Sequence, residues 1–317
     1  MEKVSIESTF RKLVNQKIIS DDDLKDENYS SAYSERFQSI IDFDLKNIEL
    51  NMTQHSLCFS KETEIRIAQI DKKWGAGLNW LRFYYNYSSN SFNDWKAYNK
   101  EEKHDSEIAE IKCVLHYING KAFYLTAEII CLLENGFPEG AIARFRSLHE
   151  LWAIGEFISE DTKEVATAYL NSVSDKNENN SDDHYKWAKV SKRFSDKNPT
   201  ISNIISEAMN TFVKKTDGNI SKTKLWKIQT DPNIFIHPSA KGVCYLINPE
   251  NNDVRIGGTN TGLAHPAINT LIWLYNINRL YLNTTSNVYT ELLKKMLYDI
   301  NEKAQSVFQK IESESII

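Results

Sequence analysis

Asn135-Gly-Phe-Pro-Glu-Gly140 is a six-residue break between two long apolar patterns, and its reading decides the fold. Gly136 suits the left-handed residue that ends a helix, and Pro138 suits the first turn of the next one. Upstream, Ile108, Ile111, Val114, Leu115, Ile118, Phe123, Leu125, Ile129 and Leu132 recur at helical spacing, which predicts a helix over 105–135. Downstream, Ala141, Phe145, Leu148, Trp152 and Gly155 form one apolar stripe and predict a second helix to 159. So short a connection makes the two helices antiparallel, packed neighbours.

Working outward, residues 1–60 read as a polar helical arm with an acidic break at Asp21–Glu27, its helix resuming near Ser34 and running past Leu50. Ile65, Ile67, Ile70, Trp74, Leu78, Leu81, Tyr84 and Tyr85 give 61–88 a helical period, and the polar 88–103 reads as a loop with a short turn. Another helix is expected from Glu160 to Val173. The polar run Ser174–Asp183 reads as a loop. Helices are expected over 183–194, 198–215, 219–228, 266–283 and 286–312. Between them Gly242–Gly257 has two β-rich runs around a turn-rich centre, a hairpin pattern. The fold class that follows is all-α: a helical bundle over 61–317 with one small β-hairpin insertion near 242–257, preceded by the arm.

The 317 residues are 41% hydrophobic, enough for a substantial core, and only eleven are Gly and six Pro, too few for a turn-rich all-β fold. A net charge of −5 excludes a broadly polyanion-binding surface, so any nucleic-acid contact must be local. Cys58, Cys113, Cys131 and Cys244 form no Cys-x-x-Cys pair, and Cys113 and Cys131 read as buried thiols. No metal or cofactor motif is evident. The first residues lack the apolar core of a signal peptide, and no run approaches the ~18 apolar residues of a membrane span. A cytoplasmic location is the expectation.

The chemistry concentrates in Ala141-Ile-Ala-Arg-Phe-Arg-Ser-Leu-His-Glu150. At 100° per residue, with Phe145 at zero, Arg146 falls at about +100°, His149 at about +40° and Glu150 at about +140°, all on one arc beside the apolar stripe. Arg144 falls at about −100°, on the other flank. Charged groups beside a core need partners, so a site is expected here. Arg144-x-x-x-x-His149 resembles the Arg-x(4–6)-His pattern of the HEPN superfamily, many of whose members are metal-independent endoribonucleases acting as toxins or antiviral effectors. The resemblance implies a histidine acting as acid or base towards a ribose 2′-hydroxyl and an arginine steadying the phosphorane charge. On an ideal helix Arg144 and His149 lie about 140° apart, so they converge only through distortion or across a dimer. The other reading of the same residues makes Arg146, His149 and Glu150 a polar cluster that fixes helix register, with no chemistry.

Leu132-x-x-x-Gly136, Ala141-x-x-x-x-Arg146-Ser-Leu-x-Glu150 and the downstream His237-Pro-Ser239 resemble a bacterial helical family without assigned activity, domain of unknown function 5677, over about 110–285. That resemblance implies a helical fold and an Arg–Glu–His constellation of Arg146, Glu150 and His237. Where His149 stands, the family pattern has an apolar or aromatic residue. Pro238 holds His237 away from helical geometry, so its ring would be fixed near a turn. Were it to meet Glu150, the carboxylate would orient the ring and favour its charged form.

Two further features are weaker. Gly257-Gly-Thr-Asn-Thr-Gly262 precedes a helix and reads either as a turn or as a phosphate cradle. Lys186, Lys189, Lys192 and Arg193 beside Tyr185 and Trp187, and Lys214 and Lys215 further on, are either a solvated face or a local patch for RNA or a nucleotide. The functional expectation is a bacterial defence or toxin-type effector, a metal-independent ribonuclease acting through Arg146, His149, Glu150 and His237 with Arg144 as an outsider. The alternative is a non-enzymatic nucleotide- or protein-binding module in which the cluster is structural. A homodimer or an operon-encoded protein is the expected partner.

Overall fold

The computed structural model describes residues 31–98, 106–172, 184–194, 198–215, 257–285 and 287–314. Seven helices make up the described residues: α1 (Ser31–Tyr98), α2 (Ser106–Glu134), α3 (Pro138–Ser159), α4 (Lys163–Ser172), α5 (Ile201–Lys215), α6 (Ala264–Leu282) and α7 (Val288–Glu314). A 3₁₀ turn, Lys186–Val190, stands where a helix over 183–194 was expected. No strand occurs among the described residues, and the hairpin expected near 242–257 lies outside them except for Gly257, as does the helix expected over 219–228.

The chain divides into two units, Met1–Glu64 and Ile65–Ile317. In the first, Met52, Leu57 and Phe59 of α1 are exposed. The second holds the core. There α6 packs on α2, α3 and α7, while α3 packs on α2, α5 and α6. Fourteen of the nineteen residues of α6 are buried, which makes it the central helix, apolar nearly all round. No described helix is long and apolar enough to cross a membrane.

The α2–α3 corner is built as its sequence indicates. Gly136 has φ 78°. Its amide donates to the Leu133 carbonyl at 3.1 Å and the Phe137 amide donates to the Leu132 carbonyl at 2.8 Å, the two bonds of a Schellman motif. Pro138 then opens α3. The corner is also where the Gly257–Gly262 loop docks. The Thr259 amide donates to the Gly136 carbonyl at 2.7 Å, and Trp74 Nε1 donates to the Asn260 carbonyl at 2.7 Å. Those contacts hold the loop to the fold. A Cβ on Gly136 would come within 2.5 Å of the Thr259 carbonyl oxygen while φ stayed left-handed. Gly136→Ala is therefore expected to cost about 2–4 kcal/mol, read as a lower urea midpoint. A midpoint equal to wild type would mean that the corner can move.

Two expectations are corrected. The polar stretch after 88 is not a loop: α1 continues to Tyr98. Ser88 donates its hydroxyl to the Tyr84 carbonyl at 2.7 Å, and Phe92 anchors the turn against His116, Phe123 and Tyr281 at ring separations of 4.9, 5.6 and 5.0 Å. Phe92, one of three aromatic residues in this polar run, supplies packing that propensity alone did not suggest. Cys131 is exposed and Cys113 half-buried, so neither is the fully buried thiol expected from its apolar neighbours.

Candidate functional site

The α3 stripe lies where the helical wheel puts it. Ala141, Phe145, Leu148 and Trp152 are wholly buried, and Gly155 lies against Leu280, Leu115 and Ile118. His149 joins them: it is 0% exposed, further into the core than its position beside the stripe suggested. Its ring stacks on Trp152 of α3 at 5.5 Å and leans on Trp273 of α6 at 4.3 Å. The two indoles are 4.8 Å apart, and Phe212 of α5 meets Trp152 edge-on at 5.3 Å. His149 is thus one ring of an aromatic cluster joining three helices. Neither of its ring nitrogens has a hydrogen-bond partner among the described residues. Burial disfavours the imidazolium, and the nearby Arg146 charge disfavours it further, so the pKa is pushed down to about 3. The ring is neutral throughout the physiological range.

Arg146 and Glu150 stand at the margin of this cluster. Arg146 Nε donates to Glu150 Oε1 at 3.0 Å, with about a quarter of each side chain exposed. Tyr185, just before the 3₁₀ turn, lies within the field of both. Burial raises its pKa first, Glu150 raises it further and Arg146 opposes. Arg144 is on the opposite flank, half-exposed, with its Nε 3.1 Å from Glu128 Oε2 of α2. The two halves of Arg144-x-x-x-x-His149 therefore face different surroundings, a carboxylate at the surface and an indole pair in the core. His237 lies outside the described residues.

Part of the basic stretch is already engaged. Arg193 donates to the Glu160 carbonyl at 2.6 Å, pairs with Asp161 at 3.5 Å and lies over the Phe157 ring. Lys215 Nζ is 2.7 Å from both Glu156 Oε1 and Glu160 Oε1. Trp187 is buried against Tyr169 and Phe157, which removes it as a platform for a base. Lys186, Lys189, Lys192 and Lys214 are exposed.

Sequence reasoning missed the acid at the far end of α3. Glu156 is 0% exposed, and its charge is met by Lys215 across 59 residues of chain. Burial works against the Lys215 ammonium, but the bonds and charges of Glu156 and Glu160 outweigh it and raise its pKa. A signal was present: on the wheel that has Phe145 at zero, Glu156 falls at about +20°, at the edge of the apolar stripe. Among the described residues, no group of three His, Cys, Asp or Glu side chains is placed to hold a metal ion.

The arrangement can therefore do two things. It joins α3, α5 and α6 through aromatic packing and a buried ion pair. It also presents a half-buried Arg–Glu pair beside a tyrosine at the surface. His149 is out of solvent reach, while the exposed His184 precedes Tyr185 and the exposed His265 meets Phe145 edge-on at 5.5 Å. No curated protein and no solved structure matches the chain. Residues 112–235 match the model of a family described as a family of unknown function (DUF5677); the match takes in Arg146 and Glu150 and ends two residues before His237, so over this span the chain is similar to a family without an assigned activity.

Proposed function

We propose that this chain is a non-enzymatic helical binding module in which Arg146, His149 and Glu150 hold the bundle together and the Arg146–Glu150–Tyr185 margin meets a nucleotide or protein partner. The observation that carries this reading is the place of His149. A histidine that works as acid or base must gain and lose a proton near neutral pH and reach its substrate. His149 is sealed between two indoles and stays neutral down to about pH 3. Arg144, its presumed catalytic companion, is paired with Glu128 on the other flank. The engagement of Arg193 and Lys215 by carboxylates also argues against a continuous RNA-binding stripe.

The test is incubation of the purified protein with end-labelled single-stranded RNA, with total-RNA integrity checked in expressing cells. The expected result is full-length RNA from wild type and from His149→Leu alike. Arg146→Ala is expected to fold and to lose only about 1–2 kcal/mol, because the pair is partly solvated. RNA cleavage by wild type that disappears in a stably folded His149→Leu or His237→Ala variant would replace this reading with the defence-type ribonuclease.

A further inference from the structure

Away from that cluster, α1, α2, α6 and α7 meet at a small cavity lined by Ser88, Phe92, Asn119, Asn278 and Tyr281 and by leucines of α6 and α7. Its space is about that of one water molecule. Asn119 is 0% exposed, and neither its Nδ2 nor its Oδ1 has a partner among the described residues. Asn278 is 4% exposed, and its Nδ2 is likewise without one. Nearby amides are satisfied within the fold: Asn301 Nδ2 donates to the Leu271 carbonyl at 2.6 Å, and Asn276 Nδ2 to the Ile272 carbonyl at 2.9 Å. Both unpartnered amides line the same cavity.

Leaving three amide atoms unpaired in a helical core is costly, and native interiors avoid it. Leucines at both positions would fill the space without that cost. We infer that the cavity is a binding site for one small hydrogen-bonding molecule, an internal water, held by the Asn119 and Asn278 amides. Asn119 can both donate and accept, and Asn278 can donate, which gives the water the two to four partners such sites need. Bridging α2 to α6, the water makes the contact between these helices polar and fixes their relative register.

Two measurements test this on the whole chain. In isotope-labelled wild type, cross-relaxation between water and the Asn119 side-chain amide protons should show a bound water, and high-resolution diffraction should place one oxygen within hydrogen-bond distance of both asparagines. Asn119→Leu should lower the melting temperature by about 2–4 °C, because Asn278 is left without its partner. The double variant Asn119→Leu/Asn278→Leu should recover most of that loss. A dry cavity, with either amide turned onto a protein carbonyl, would overturn the inference. So would losses that simply add in the double variant.

Discussion

His149→Leu is expected to make the protein more resistant to acid than the wild type, by about 3 kcal/mol at pH 4. The folded protein holds this imidazole at a pKa of about 3 against an ordinary 6.5, because burial and Arg146 both oppose the charge. Between those values the unfolded chain binds a proton that the folded one does not. Stability owed to the neutral ring is complete above pH 6.5 and is lost as the pH falls towards 3. At the acid limit the loss reaches about 4–5 kcal/mol. Leucine has no proton to take up and escapes this loss. At pH 7 it should be neutral or slightly stabilising, since it removes two nitrogens that have no partner among the described residues. Urea midpoints of both proteins at pH 7, 5 and 4 decide the matter. Parallel losses in the two proteins would mean that His149 is solvated or paired.

Lys215→Met is the second large effect, a loss of about 3 kcal/mol at neutral pH. Glu156 is wholly buried and its charge is met by Lys215. Removing the ammonium leaves that carboxylate in the core without a cation, and 39% exposure of the lysine side chain keeps the cost at the lower end of the range for a buried pair. Glu156→Leu together with Lys215→Met removes both charges and should sit much closer to wild type than the single change. The expected pattern in denaturation is therefore strong non-additivity. Since the bonds to Glu156 and Glu160 raise the Lys215 pKa, this contribution persists below the ordinary lysine range and fades as the pH rises through the raised value. Equal losses from the single and double variants would contradict the pairing.

The helices were legible where apolar spacing is long and regular. Gly136 and Pro138 specified the α2–α3 corner, and the stripe from Ala141 to Gly155 specified the buried face of α3. What the sequence concealed was tertiary in origin. Phe92 extends α1 through a polar run because His116, Phe123 and Tyr281 come to meet it from two other helices. His149 passed for a marginal polar group because nothing local announces Trp273, 124 residues away, as its other wall. Glu156 was visible as an acid at the edge of the stripe, but its cation comes from the end of α5. Wheel angles show which groups need partners and stop short of naming them.

His149 is a neutral core ring, and its own titration tests that most directly. Histidine ring resonances of the isotope-labelled protein can be followed from pH 8 to pH 4, with the His149→Leu spectrum assigning the signal. The His149 resonance is expected to hold its neutral position down to pH 4. A His149 midpoint between pH 6 and 7 would contradict it and return the residue to the chemistry of an acid–base site.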